Sequence, residues 1–228
     1  MTHEQDSTAP DPTGPTPRRD AERTRAAILD AAIEEFSERG LLGGRVDAIV
    51  ERTATTKRMV YYYFESKERL YQAALIESYR RIRQTEGALD LAALAPADGL
   101  RALVRATLDH QEHNAGFIRL VMFENTLAGG AIHLMDDDVR ALNRSAVLIL
   151  EDLLERGRRS GDFRGGPDAP TALDLHQVIS SLSFFRVGNR ATFRELFGRD
   201  MVAGDEREHV LALIETTVLR LVLADPGR

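Results

Sequence analysis

Apolar residues recur along this chain at intervals of three and four, the spacing that lines one face of an α-helix, and no period-two alternation of any length appears. Ile28, Leu29, Ala32, Ile33 and Phe36 form a first stripe, which Gly40 ends. Val46, Ile49 and Val50 form a shorter one, followed by a break at Thr53 to Thr56 and a further helix with Val60 and Phe64 one turn apart. Ser66 suits the N-cap of a connector running to about Glu86, with Leu70, Tyr71, Ala74, Leu75, Ser78, Tyr79 and Ile82 along one side. Pro96 opens a helix carrying Leu100, Leu103, Val104, Thr107 and Leu108, and an apolar run from Phe117 to Phe123 follows before Gly129 and Gly130 interrupt the pattern. Asp136, Asp137 and Asp138 stand where a helix dipole favours acids, ahead of Val139, Leu142, Ala146, Leu150 and Leu153. After a turn at GRRSGDFRGG, Leu173, His176, Ile179, Leu182 and Phe185 mark one helix, and Val210, Leu211, Ile214, Thr217, Val218 and Leu221 the last. The pattern predicts an all-α chain of about nine main helices.

The helix that begins at Lys57 has a chemistry of its own. With Val60 and Phe64 turned toward a core, Lys57, Arg58, Tyr61 and Tyr62 point outward together. Cationic heads neutralise phosphates or read guanine edges, and tyrosines bond phosphate oxygens while their rings press on sugars and thymine methyls. Thr55 and Thr56 both suit the N-cap, which would present this helix N-terminus first to a duplex. The three N-terminal stripes together predict a helix-turn-helix head.

Charge qualifies the picture without reversing it. The chain carries a formal −6, yet residues 18 to 70 hold one more cation than anion, so the acidity lies elsewhere. The chain's two lysines are Lys57 and Lys67, both within the run from Thr55 to Lys67. Arg18, Arg19, Arg23 and Arg25 read as a solvated helix start or an arm toward phosphates, and Glu34, Glu35 and Glu38 are expected on the outer surface of the first helix. The proline-rich N-terminus is not a signal peptide, and no apolar run approaches the roughly 20 residues that span a bilayer, so a cytoplasmic protein without a membrane partner is expected. There are no cysteines, hence no disulfides or thiolate sites.

At this point the chain resembles the TetR family of repressors. The resemblance lies in the first helix, in the spacing from Gly40 to Val46, and above all in YYYFESKERL, with Val46, Ile49, Lys57, Tyr61, Tyr62, Phe64 and Lys67 in register with the family pattern. It implies base or groove contacts from Lys57, Arg58 and Met59 and phosphate contacts from Thr56, Tyr61, Tyr63 and Lys67, with Tyr62 open between the two. Ala54 and Thr55 replace the family's turn glycine and valine, and the turn must do without glycine's freedom at positive φ. Gly44 and Arg45 stand where the family has a capping threonine, so Arg45 would replace a hydroxyl–phosphate bond with a charged one.

The organisation this implies is a disordered tail over 1–17, a DNA-binding head over 18–65 and a helical effector-binding and dimerisation part over 66–228. Reading two half-sites about 34 Å apart requires two recognition helices, hence a homodimer on double-stranded DNA. By resemblance, residues 170–187 and 206–223 form the interface. YRRIRQTEGALDL and FIRLVMFENTLAGG are similar to a TetR subgroup linked to aromatic and heteroaromatic catabolism, including nicotinate degradation, which points to a small organic effector. Pocket candidates, chosen for apolar bulk beside isolated polar groups, are His110, His113, Phe117, Met122, Phe123, Asn125, His176, Phe184 and Phe185.

No enzyme is expected. No nucleophile with a base, glycine-rich phosphate loop or GxSxG turn appears, and no cofactor is implied. His110 with His113, and Glu206 with His209, have the spacing of paired metal ligands, but the second half of a di-iron motif is missing, so no metal is expected. The alternative to an effector-controlled repressor is a ligand-independent helix-turn-helix adaptor, whose mark would be a C-terminal core without a cavity.

Overall fold

The computed structural model describes residues 17–127, 130 and 137–224. The expected disordered tail and the break at Gly129 fall largely or wholly outside them. Ten helices make up the fold among the described residues: α1 (Pro17–Gly43), α2 (Val46–Glu51), α3 (Lys57–Phe64), α4 (Lys67–Gly87), α5 (Pro96–His113), α6 (Ala115–Thr126), α7 (Asp137–Ser160), α8 (Ala172–Gly188), α9 (Arg190–Phe197) and α10 (Gly204–Val222). The all-α expectation holds. α9 was not foreseen.

The first core gathers Ile28, Ala32 and Phe36 of α1, Ile49 of α2, and Val60 and Phe64 of α3. It is closed by Leu70, Tyr71 and Leu75 of α4 and Leu120 of α6, with Phe36 and Tyr71 edge to face at 5.2 Å. Each large apolar side chain contributes about 1.5–3 kcal/mol on burial, so the start of the connector helix and α6 both help to hold the head. A second core, built on Leu100, Val104, Leu153, Leu175, Ile214 and Val218, joins α5, α7, α8 and α10.

Gly40 breaks α1 as its position suggested, at φ 63 and ψ −176. A Cβ there would stand 2.9 Å from the Phe123 ring, so the kink also lets α6 approach. Gly44 is needed for space: its Cβ would lie 2.5 Å from Phe36.

Glu35 departs from expectation. It is fully buried, not on the outer surface, and accepts the Arg45 N–H at 3.0 Å and Arg52 at 2.6 Å. α2 has no side-chain cap of its own, so an acid from α1 takes up the backbone N–H at its start and the guanidinium at its end. Burial by itself would raise the Glu35 pKa, but the bonds from Arg52 and Arg45 and the nearby charge of Arg39 outweigh it and hold the carboxyl below its ordinary value.

The stripe on α8 also differs. Leu175, Ile179 and Ser183 face inward together with Arg186, which is only 1% exposed, while Leu173, Leu182 and Phe185 face outward. Arg186 donates to the carbonyls of Leu108 and Met201 at 3.1 and 3.3 Å and pairs with Glu112. Both terminal nitrogens of this buried cation are taken up by these acceptors, which offsets its burial, while its Nε has no partner among the described residues. It fastens α8 to α5 and to the segment preceding α10.

Candidate nucleic-acid interface and internal cavity

Thr56 is the residue that caps α3, its hydroxyl accepting the Met59 N–H at 3.3 Å. Thr55 lies in the turn with its hydroxyl buried and unpartnered. The turn meets the loss of glycine simply: neither Ala54 nor Thr55 has positive φ. With Val60 and Phe64 buried, Lys57, Arg58, Tyr61 and Tyr62 are all exposed, Tyr62 to 75%. Tyr63 is half-buried and braces Tyr62, the rings edge to face at 5.3 Å. Met59 is half-buried.

Two cations near this helix are already engaged. Lys57 pairs with Asp47 of α2 at 3.1 Å, and Lys67 at the start of α4 donates to the Leu42 carbonyl at 3.3 Å. Arg45 is exposed at the start of α2. Arg25 of α1 lies over the Phe64 ring at 5.1 Å. Farther up α1, Arg18 pairs with Glu22 and Arg23 with Asp20, as a solvated helix start does.

Behind the head, α4 to α8 line a partly open cavity of about 210 Å³. Its walls mix Ile82, Leu150 and Ile179 with the rings of Tyr79, Phe117 and Phe184, and its polar groups are Arg83, Glu86, Thr107, Gln111, Ser180 and His176. Arg83 and Glu86 bond at 2.6 Å. Burial lowers the pKa of Arg83 and of His176 and raises that of Glu86 and of the Tyr79 hydroxyl, each shift favouring the neutral form.

A more open cleft of about 630 Å³ lies between α1 and the α5–α6 turn, bordered by Asp30, Ser37, Arg81, His113 and Arg119. His110 and Phe117 border it too, and Phe117 is common to both spaces. Thr85 donates its hydroxyl proton to the Arg81 carbonyl, so its oxygen accepts from His110 Nδ1 at 3.1 Å. Burial, then the charges of Arg83 and Arg81, lowers the His110 pKa.

The pocket candidates are therefore divided. Phe117, His176 and Phe184 line the cavity, whereas His110 and His113 line the cleft. The other four line neither. Met122 packs against Gly188 and Phe123 against Gly40, Asn125 bonds back to the Val121 carbonyl at 2.9 Å, and Phe185 stacks outward on Phe193 at 5.3 Å. Arg83, Glu86, Thr107 and Gln111 were missed. They sit one helical turn apart on α4 and on α5, a regularity that a search for aromatic bulk overlooks.

Glu206 pairs with Arg199, and no group of three or more metal-ligating side chains forms among the described residues. Nor is any described helix long and apolar enough to cross a membrane.

A three-helix head with a capped, basic and tyrosine-bearing third helix, joined by one continuous helix to a helical bundle, defines a class of helix-turn-helix DNA-binding proteins. Residues 28–74 match the bacterial regulatory proteins of the tetR family, and residues 96–218 match the tetracyclin repressor-like C-terminal domain. The chain belongs to the TetR family of DNA-binding transcriptional regulators, a family of regulators and not of enzymes. It is 33% identical over 200 residues to the HTH-type transcriptional repressor NicS of Pseudomonas putida, covering 88% of this chain and 92% of NicS. It is 30% identical over 115 residues to the HTH-type transcriptional repressor SCO4008 of Streptomyces coelicolor, covering 50% of this chain and 55% of that one. The crystal structure of a tetR-family bacterial regulatory protein from Rhodococcus RHA1 has the same fold, with a TM-score of 0.66 and 22% identity over 89% of this chain and 99% of that one.

Proposed function

We propose that this protein is a cytoplasmic homodimeric repressor that holds a pseudo-palindromic operator through the head at 18–65 and releases it when a small organic effector enters the cavity in the part at 66–228. The observation that carries this reading is the placement of α4. Its first turns close the core under the recognition helix, and its last turns contribute Tyr79, Ile82, Arg83 and Glu86 to the cavity wall. An effector that fits one tilt of α4 better than another shifts the spacing of the two heads, by no more than its differential affinity for the two arrangements. The cavity favours this reading over a ligand-independent adaptor.

Base contacts are assigned to Lys57, Arg58 and Met59, and phosphate contacts to Thr56, Tyr61, Tyr63, Lys67 and Arg45, with Tyr62 serving either. Thr55 acts through the turn that sets the angle of α3. The dimer forms through the outward faces of α8 and α10, where Leu173, Leu182, Phe185 and Leu213 are exposed. An apolar surface of this kind on two adjacent helices suits a self-complementary contact. That relatives named as repressors match the chain supports repression as the direction of control.

The test is footprinting on the DNA upstream of the protein's own gene, with and without candidate metabolites. A two-half-site footprint that one metabolite abolishes is expected. Arg58→Ala should cost about 1–3 kcal/mol at particular base pairs; an equal loss on every sequence would refute its reading role.

A further inference from the structure

We propose that the cavity takes an uncharged single-ring molecule with a cis-amide edge, an N–H beside a C=O as in a lactam or imide, held by two-point pairing with the side-chain amide of Gln111. This rests on reading the cavity as the effector site and names the class of effector. Gln111 is 4% exposed, and its side-chain oxygen is buried without a hydrogen-bond partner among the described residues. Leaving such a group unmet costs about 1–3 kcal/mol, and the cavity that Gln111 lines is where its partner can lie. An amide presents a donor and an acceptor side by side, and its complement is a second amide with the same two groups in reverse. The match holds whichever way round the terminal oxygen and nitrogen of Gln111 sit.

Size and shape select a ring. A cavity of about 150 Å³ admits benzene, so about 210 Å³ accommodates one ring with small substituents. Tyr79 and Phe117, edge to face at 5.2 Å, supply apolar walls for a flat molecule.

Charge selects a neutral one. Arg83 and Glu86 neutralise each other at 2.6 Å, and a carboxylate would bring a second negative charge into a largely buried space beside Glu86. A carbonyl adds no charge. Arg83 Nε, also unpartnered, is a further donor for a carbonyl oxygen.

Isothermal titration of the full-length protein with 2-pyridone, N-methyl-2-pyridone and benzoate tests this. The expected result is binding of 2-pyridone, with the N-methyl compound and benzoate each at least about tenfold weaker, since methylation blocks the donor and benzoate adds a charge. Gln111→Leu should bind the two pyridones equally, with its urea midpoint at or above that of the unsubstituted protein, because an unmet polar group has been removed. Equal binding of the pyridones by the unsubstituted protein, or preference for benzoate, overturns the amide assignment while leaving the cavity as an effector site. Binding of none of the three overturns the ligand class. Release of operator DNA by some other compound would then show that the regulatory reading stands apart from it.

Discussion

The Lys57 ammonium lies 3.1 Å from the Asp47 carboxylate, across the turn that joins α2 to α3. Both side chains are about half exposed, so the pair itself adds no more than about 1 kcal/mol to stability. Its consequence is for DNA. To make the base contact proposed for it, Lys57 must either leave Asp47 or bring that negative charge to the duplex. Asp47→Asn should therefore tighten binding by roughly threefold to tenfold at low salt and steepen the dependence of log K on log salt by up to about one. The cost to folding should be small, about 0.3–1 kcal/mol, because Asp47 sits in the first turn of α2. Fluorescence anisotropy across a salt series measures both quantities. Weaker binding by the variant would mean that Asp47 holds Lys57 in its reading position.

Glu35 fixes the geometry of the helix pair. Glutamine in its place can still accept the Arg45 N–H, but it loses the charge that faces Arg52 and sets an NH2 among donors. Glu35→Gln should cost about 1.5–3 kcal/mol of stability, read from urea unfolding at neutral pH. The depressed pKa adds a pH signature. Stabilisation from a carboxyl whose folded pKa is lowered is fully present above the ordinary carboxylate value of about 4.3 and is lost as pH falls through the lower folded value. The stability of the unsubstituted protein should thus fall more steeply in that acid window than that of Glu35→Gln. Parallel curves would contradict the account.

These two acids show what the sequence could and could not say. Val60, Phe64 and the outward cations of α3 were legible, because one short helix with a cap and a spacing of four has few ways to bury itself. Glu35 was not, since its partners are 10 and 17 residues away and lie opposite it only after α2 has folded back. On α8, apolar residues occupy both sides, so periodicity alone favoured the wrong one. Only the neighbouring helices decide that Leu175 and Arg186 turn inward. α9 escaped notice because Phe193, Leu196 and Phe197 crowd into one helix of eight residues, none of them fully buried. The cavity was only partly legible: the rings were visible as bulk, but Arg83 and Gln111 are polar residues on helices that read as ordinary until five helices enclose them.

The outward face of α8 and α10 yields a test of assembly. Leu213 is 57% and Phe185 46% exposed, so aspartate at either position removes little from the folded monomer. A second copy docking there would bury the new charge instead, at a cost of several kcal/mol. The double variant Phe185→Asp, Leu213→Asp should sediment as a monomer, keep its helical circular dichroism and lose at least about tenfold in operator affinity, because a single head reads one half-site. A dimer unchanged by both charges would place the interface elsewhere.

Glu65, the residue joining α3 to α4, has φ 64 and ψ −52, and the Ser66 N–H reaches back to the Phe64 carbonyl at 2.6 Å. This is a γ-turn with its central residue at positive φ, a rare conformation that costs a residue with a Cβ on the order of 1–3 kcal/mol. It lies between Phe64, which anchors the recognition helix, and Ser66, whose hydroxyl caps the connector by accepting the Arg69 N–H at 3.1 Å. Glycine adopts this conformation without the steric penalty but gains freedom in the unfolded chain worth about 0.4–1 kcal/mol. The net effect of Glu65→Gly should be stabilisation by roughly 1 kcal/mol in urea. If a stiff junction carries the tilt of α4 to α3, the same variant should bind its operator about twofold to fivefold more weakly and respond less to an effector, since looser heads spend less time at the required spacing. Greater stability together with unchanged operator affinity would show that the strain at Glu65 does not serve transmission, and that the buried contacts of Leu70 and Tyr71 alone carry the movement of the connector.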